Sequence, residues 1–195
     1  MAHNETLQRL GMPALSPELH PGAYAELFRV GRRIRDSGKQ VVGLLPVGET
    51  VSVVPLAIHL AIALTHSGVR PINVLDANTT NPALSTLLEV RDGAVPRLVQ
   101  TPIAEDVSVT TLAGPPSPVP MNSELQKNIA LGRKSCAHIL MDLTGFYRLG
   151  HGEGAAEWVD AILIVARAND SREEELLRIH SLVPPEQNLG VLLTG

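Results

Sequence analysis

The stretch from Gln40 to Pro82 restricts the possible folds of this chain more than any other part of the sequence. It begins with an apolar run from Val41 to Leu45 and continues through a loop into an apolar helix from about Val54 to His66. A second apolar run then ends at Asp76. Two apolar strands joined by a helix form a βαβ unit, in which the strands are parallel. The sequence therefore predicts an α/β fold built on a parallel sheet.

The rest of the chain continues this alternation of strands and helices. Strands are predicted at Val107 to Leu112, His138 to Leu143, Ala161 to Ala166 and Gly190 to Leu193. Helices are predicted from Gly22 to a stop at Ser37-Gly38, from Ala83 to Glu89, from a Ser123 cap to about Ser135, from Ala155 to Val159 and from Ser171 to Leu182. The segment from Val90 to Asp106 has only a weak pattern. We predict a three-layer α/β domain over residues 22–195, a mostly parallel sheet with helices on both faces, after an N-terminal arm at residues 1–21.

The loop after the first strand is where a nucleotide-binding βαβ unit would hold phosphate, because backbone N–H groups and the helix N-terminus point there. The pattern for such a loop is G-x-x-x-x-G-K-[ST]. Its lysine reaches the phosphates, and its hydroxyl holds Mg²⁺. In place of Gly-Lys-Ser-Thr this chain has Ser52, Val53, Val54 and Pro55. The chemical groups that define the pattern are therefore absent from their expected positions.

The same loop offers few other groups to a phosphate. Its small and polar residues are Gly48, Glu49, Thr50 and Ser52. No lysine lies between Lys39 and Lys127, and valine methyl groups cannot neutralise a triphosphate. We therefore expect a degenerate loop that binds no cofactor. ATP and Mg²⁺ would be expected only if a lysine from elsewhere, such as Lys39 or Lys127, completed the site.

Two aspartates stand where predicted central strands end. Asp76 closes the second strand of the βαβ unit, and Asp142 lies near the end of the run from His138 to Leu143. Ligands of open parallel sheets bind outside the carboxyl ends of the strands, and paired carboxylates there can hold Mg²⁺. The alternative is that each aspartate only caps the loop after its strand. Because the lysine of the phosphate loop is missing, we expect Asp76 and Asp142 to be remnants of such a site and not working metal ligands.

The helix that begins near Gly22 carries charges at a regular spacing. Glu26, Arg29 and Arg32 form the pattern E-x-x-R-x-x-R, in which each charge lies about one turn from the next. One interpretation is a solvated face with a weak ion pair. The other is a self-association surface, because arginine guanidinium groups suit carboxylates on a neighbouring subunit.

The composition excludes several classes of protein. A formal net charge of −4 argues against a surface that binds nucleic-acid phosphates, and a single cysteine, Cys136, excludes an internal disulfide. The seven histidines show no zinc-helix spacing, so no metal site is expected. The N-terminus lacks a secretory signal, and the apolar run from Val51 to Thr65 is interrupted and short for a membrane span. A cytoplasmic location is therefore expected.

Five patches of the sequence, taken in chain order, resemble ParA/MinD-type P-loop ATPases. Among these they are most similar to the cytoplasmic domain of the bacterial tyrosine (BY) kinases of capsule and exopolysaccharide synthesis. The patches are Glu26 to Arg32, Leu60 to Gly68, Val74 to Asn78 with Asn81-Pro82, Ile139 to Asp142, and Val159 to Ala166 with the following Ser171 to Glu174. The departures are Val53 for the lysine, Val54-Pro55 for the hydroxyls, Asn78 for a second aspartate, and Leu143-Thr144-Gly145 for Thr-Pro-Pro.

The resemblance implies a P-loop NTPase-like fold in which the E-x-x-R-x-x-R motif mediates ring-like oligomerisation. With its departures, it implies a pseudo-ATPase or pseudo-kinase that acts as an assembly or regulatory subunit of a bacterial polysaccharide synthesis or secretion machine. The implied partners are further copies of the chain and a membrane-embedded co-polymerase, glycosyltransferase or secretion component. They would hold the chain near the inner membrane without its own insertion. Two alternatives remain: an active ATPase or protein-tyrosine kinase with a non-standard loop, and a ParA/MinD-like positioning scaffold.

Overall fold

The computed structural model describes residues 21–48, 51, 53–87, 94–117, 121–144 and 156–195. Most of the predicted arm and three of the predicted loop residues, Glu49, Thr50 and Ser52, lie outside this part of the chain. Seven strands are present: β1 (Val41–Pro46), β2 (Ile72–Asp76), β3 (Arg97–Ala104), β4 (Val107–Ala113), β5 (His138–Asp142), β6 (Ala161–Arg167) and β7 (Asn188–Thr194). Among the described residues the helices are α1 (Pro21–Asp36), α2 (Val53–His66), α3 (Ala83–Leu87), α4 (Asn122–Ser135) and α5 (Glu173–Leu182), with a short 3₁₀ turn at Pro185–Gln187.

The strands form one sheet in the order β3-β4-β2-β5-β1-β6-β7. Every neighbouring pair is parallel except β3 and β4, which are antiparallel. The central strands β1, β2 and β5 are buried at every residue, as expected for strands covered on both faces. The predicted fold class, a three-layer α/β domain with a mostly parallel sheet, is confirmed.

Helices cover both faces of this sheet. Helices α1, α2 and α3 share one hydrophobic core with one set of strand side chains, and α4 and α5 share a second core with the opposite set. Helix α2 is apolar on almost every side because it is packed between the sheet and α1. Helix α1 buries a stripe formed by Leu27, Val30, Gly31 and Ile34, and its arginines are exposed.

Several sequence-based boundaries were wrong. Strand β3 lies in the segment given only a weak pattern. It is an edge strand whose residues are mostly exposed or half-buried, with Ile103 buried, so it has no continuous apolar run. Helix α4 begins at Asn122 after Met121, which makes no side-chain capping bond, so Ser123 is not the cap. Residues 156–158 form a turn rather than the predicted helix. Helix α5 begins at Glu173 and not at Ser171, whose hydroxyl donates to the Val47 carbonyl and accepts the N–H of Arg167 at the end of β6.

Within the described residues, no helix combines the length and the apolar character needed to cross a bilayer.

Candidate functional site

The candidate site lies at the carboxyl edge of the sheet, where β1, β2 and β5 end side by side. Asp76 and Asp142 are register partners at the ends of the neighbouring strands β2 and β5. Gly48 follows the end of β1, the strand on the other side of β5. The structure therefore brings together the two predicted acidic positions at the predicted edge.

Asp76 is fully buried, and both of its carboxylate oxygens accept hydrogen bonds from nearby protein groups. Oδ1 accepts the backbone N–H of Asn78 at 3.2 Å. Oδ2 accepts the N–H of Leu84 at 3.1 Å and the Thr111 hydroxyl at 3.3 Å. Leu84 belongs to the first turn of α3, so Asp76 caps that helix from a distance. The Thr111 contact comes from β4, and no pattern in the sequence predicted it.

Asp142 is also buried and has neutral partners. Its Oδ1 accepts the backbone N–H of Thr144 at 2.8 Å and also the Thr144 hydroxyl. This is the local turn that an aspartate at a strand end commonly forms. In the described part of the chain, no lysine or arginine pairs with Asp76 or Asp142. Each aspartate thus organises the loop that follows it, as the alternative interpretation of the sequence proposed.

Burial and mutual repulsion both disfavour the charged forms of this pair. Loss of solvation, followed by the nearby Asp142 carboxylate, raises the pKa of Asp76 to about 7, although three hydrogen bonds act in the opposite direction. Loss of solvation likewise raises the pKa of Asp142, and the bonds from Thr144 oppose that rise. The two carboxyl groups titrate as a coupled pair that holds a proton at a higher pH than free aspartates do.

The loop after β1 is fixed to the segment between β6 and α5. Val47 donates its N–H to Val165 O at 2.8 Å and accepts the Ser171 hydroxyl on its own carbonyl at 2.9 Å. Gly48 has φ +91°, which side-chain-bearing residues rarely adopt, and a Cβ there would lie 3.8 Å from Glu175 Oε2. A third carboxylate is therefore present beside the loop. The acidic first turn of α5 was visible in the sequence, but its position beside Gly48 was not.

The described residues do not fit a magnesium nucleotide, the ligand that the predicted loop type implies. Val53 and Val54 occupy the start of α2 with 2% and 4% of their surface exposed, so methyl groups stand where an amine and a hydroxyl would be needed. The oxygens of Asp76 are occupied by protein donors, and Glu175 adds negative charge near Gly48. Thus the local charge favours neither a triphosphate nor a fully ionised pair of metal ligands.

Asn78 stands where the family that this sequence resembles has a second aspartate, and here its side chain has a structural role. Its Oδ1 accepts the N–H of Asn81 and the hydroxyl of Thr80, both at 3.1 Å. Thr79 binds the chain that leads into α4, through Met121 N at 3.1 Å and Ser117 N at 3.0 Å. The loop after β2 is therefore held in shape by its own side chains.

The charges of α1 lie on a different part of the molecule from the aspartates. Arg29 donates from Nε to Glu26 Oε2 at 2.9 Å and from Nη2 to Oε1, and both side chains are largely exposed. The Arg29 guanidinium lowers the pKa of Glu26. Arg32 is exposed and has no ion-pair partner among the described residues. The predicted pair between neighbouring turns has formed, and Arg32 projects from the same helix without a counter-ion in that part of the structure.

The described histidines serve packing and surface contacts. The ring of His138 makes a 2.9 Å contact through Nδ1 with the Lys39 carbonyl, and His66 contacts the Tyr24 hydroxyl at 3.2 Å. His59 is half-buried on α2, and its Nε2 has no partner among the described groups. No group of three or more histidine, cysteine or acidic side chains suited to a metal ion occurs in the residues that the structure covers.

Comparison with known proteins identifies the fold. No family model matches the chain, and no curated protein matches it. The structure is similar to the chimerical protein CapA2B2, with a TM-score of 0.69, 14% identity, and coverage of 98% of this chain and 97% of that one. It is similar to the kinase domain of VpsO, with a TM-score of 0.66, 16% identity and coverage of 100% and 98%. The tyrosine kinase domain of BceF aligns with a TM-score of 0.62, 20% identity and coverage of 98% and 87%. This chain therefore has a fold like that of bacterial tyrosine kinase domains.

Proposed function

We propose that this chain is a non-catalytic member of a bacterial polysaccharide synthesis or secretion machine, a pseudo-kinase subunit that acts through oligomerisation and partner docking. The fold supports the tyrosine-kinase side of this proposal. The departures at the loop after β1 support its non-catalytic side, and no nucleotide cofactor is needed for the proposed role.

The single observation that carries the proposal is the state of Asp76 and Asp142. Acidic residues at these strand ends could serve phosphoryl transfer by holding Mg²⁺ if they were ionised and free to bind it. Here they are buried together, they accept hydrogen bonds from neutral groups, and the pKa of Asp76 is about 7. With buried valines at the start of α2, the edge retains its shape without the charges that phosphoryl transfer uses.

The proposed assembly surface is the exposed side of α1. Glu26 and Arg29 already form a pair within one chain, whereas Arg32 has no acidic partner among the described residues. A carboxylate from a second copy could satisfy Arg32 and exchange with the Glu26–Arg29 pair. This contact would join subunits at exposed positions, so its loss would leave the core of each subunit intact.

Isothermal titration calorimetry with ATP and ADP, with and without Mg²⁺, tests the non-catalytic part. We expect no saturable heat for the wild-type chain at millimolar nucleotide. Saturable binding that requires Mg²⁺ and disappears in a folded Asp76→Asn variant would overturn the proposal. That result would favour the alternative of an active ATPase or kinase with a non-standard loop. A BY-kinase domain with an intact loop serves as the positive control.

Light scattering over a range of protein concentrations tests the assembly part. The double variant Arg29→Ala, Arg32→Ala should shift the chain toward the monomer. Arg35→Ala is the matched control, because Arg35 is an exposed arginine of the same helix that pairs with Asp36 outside the motif. An identical size distribution for the double variant and the wild type would remove oligomerisation through α1 from the proposal.

A further inference from the structure

A groove of about 500 Å³ lies at the amino end of β7, on the side of the molecule away from the acidic pair. Helix α1 reaches it from one face of the sheet, and the end of α5 reaches it from the other. Its lining consists of Arg33, His180, Ser181, Val183, Pro185, Asn188 and Gly190. We propose that this groove and the adjoining edge of β7 bind an extended acidic peptide segment of a partner protein, independently of the function proposed above.

The charge of the groove is the first argument. Arg33 and His180 line it, and none of the described residues that line it is acidic. Arg33 is exposed and has no hydrogen-bond or ion-pair partner among the described side chains, unlike Arg29 and Arg35 on the same helix. A groove that carries Arg33 and has no acidic partner for it in the described part of the structure is complementary to an acidic ligand, although the chain has a formal net charge of −4.

The position of Arg33 relative to β7 is the second argument. A Cβ at Gly190 would lie 3.7 Å from both terminal nitrogens of Arg33, so the guanidinium lies against this face of the strand. Gly190 has φ +102°, and the pairing of β7 with β6 shifts by one residue around it. This is a bulge that glycine permits. The bulge therefore leaves room for the cation directly beside the sheet edge.

The edge of β7 is the third argument. Beyond the bulge, residues 191–194 pair regularly with β6 on one side, and no described strand pairs with them on the other. Leu192 is buried in the core shared with α1, while Val191 and Leu193 are 39% and 65% exposed on the opposite face. An extended peptide can join such an edge through its backbone. It would then place alternate side chains toward Arg33 and toward these two apolar residues.

An acidic peptide fits better than the other possible occupants. A small anion would be poorly enclosed by a groove that is broadly open to solvent, whereas small-molecule sites usually bury most of their ligand. A second copy that paired its β7 with this one would bring no carboxylate, because Asn188–Thr194 contains no acidic residue. Only a strand with acids on one face and apolar residues on the other satisfies both Arg33 and the exposed Val191 and Leu193.

Fluorescence anisotropy with the full chain and a labelled Glu-Val-Glu-Val-Glu-Val peptide tests the proposal. We expect saturable binding that weakens about five- to tenfold in Arg33→Ala, because one charge-assisted contact is lost. Arg35→Ala should bind like the wild type. The block peptide Glu-Glu-Glu-Val-Val-Val has the same composition without the alternation, and it should bind more weakly. Hydrogen exchange should show slower exchange at residues 191–194 when the alternating peptide is present.

Three results would overturn the proposal. Equal binding by the wild type and Arg33→Ala would show that Arg33 does not bind the peptide. If the block peptide bound as tightly as the alternating peptide, the groove would be binding acidic chains nonspecifically. Dimerisation through β7 that excludes the peptide, seen by light scattering together with exchange protection at residues 191–194 in the free chain, would assign the edge to a second copy. None of these measurements involves the loop after β1 or the E-x-x-R-x-x-R motif, so their outcome is separate from that of the proposed function.

Discussion

The two edges of the sheet use aspartate in opposite ways. At the amino edge, Asp160 forms a two-bond ion pair with Arg133 at 2.7 and 2.8 Å and accepts the N–H groups of Gln40 and Val41. Although partial burial opposes it, this set of donors lowers the pKa of Asp160. At the carboxyl edge, Asp76 and Asp142 are buried without a cation among the described residues, and their pKa values are raised. The first edge is stabilised by its charge, and the second is destabilised by it.

The two edges differ in whether their carboxylates pair with a cation among the described residues. A buried charge is tolerated when it is fully paired, and it is costly when it is not. Asp76 and Asp142 each order the loop that follows their strand, but as a buried neighbouring pair they are unfavourable when both are ionised. We interpret the carboxyl edge as the remnant of a site and the amino edge as the clamp that holds β1, β6 and α4 together.

The largest effect should appear in the pH dependence of stability. Aspartate in an unfolded chain has a pKa of about 3.9, whereas folded Asp76 holds its proton up to about 7. Between these values the folded state binds more protons, so this pair makes the free energy of unfolding fall as the pH rises, and the fall levels off above about 7. Burial lowers the pKa values of His59 and His138. These two residues therefore make the free energy of unfolding rise with pH, up to about pH 6.5. A matched variant is therefore needed to separate the contributions.

Asp142→Asn is that variant, because its amide oxygen can still accept both bonds from Thr144 while the charge is gone. We expect it to be more stable than the wild type by about 3 kcal/mol at pH 8 and by little at pH 4.5. Urea unfolding at a series of pH values gives the difference, in which the histidine contributions cancel. Asp36→Asn, an exposed aspartate on α1, should show no such trend. A constant difference across this range would show that the pair does not repel as described.

The next effect concerns the clamp at the amino edge. Asp160→Asn removes the charge that Arg133 pairs with and places an amide N–H₂ among backbone donors. We expect a loss of about 2 kcal/mol at pH 7, the scale of a charge-assisted hydrogen bond. The depressed pKa of Asp160 means that its contribution is present above about pH 4 and is lost as the pH falls through the folded value. The loss caused by the substitution should therefore shrink in acid, and an unchanged loss at pH 3 would contradict this account.

The smallest effect concerns Thr144, whose hydroxyl donates to the Asp142 carboxylate. Thr144→Val removes that donor and keeps the shape of the side chain. We expect a loss of about 1 kcal/mol at pH 8, where the carboxylate needs the donor, and a smaller loss at pH 4.5. Thr65→Val is the control, since the Thr65 hydroxyl bonds only to the Ile62 carbonyl one turn earlier on α2. Equal losses for both variants at both pH values would argue against a specific role for Thr144.

The sequence predicted the centre of the molecule better than its margins. Strands β1, β2 and β5 and helix α2 were predicted because they are buried on nearly all sides and so have continuous apolar runs. Strand β3 was missed because an edge strand needs no such run. The adjacency of Asp76 and Asp142 followed from their places at strand ends. Their protonation, and the position of Glu175 beside Gly48, depend on tertiary contacts that no local pattern contains.

The order of the sheet has a consequence for the synthesis of the chain. Strand β5 lies between β1 and β2, so both of its neighbours are synthesised before it. Until β5 is made, β1 and β2 have no strand between them to carry backbone hydrogen bonds. A nascent chain that stops before His138 should therefore remain open to protease. Supplying residues 138–195 in trans should close it, because this segment carries β5, which bonds to both β1 and β2, together with β6 and β7.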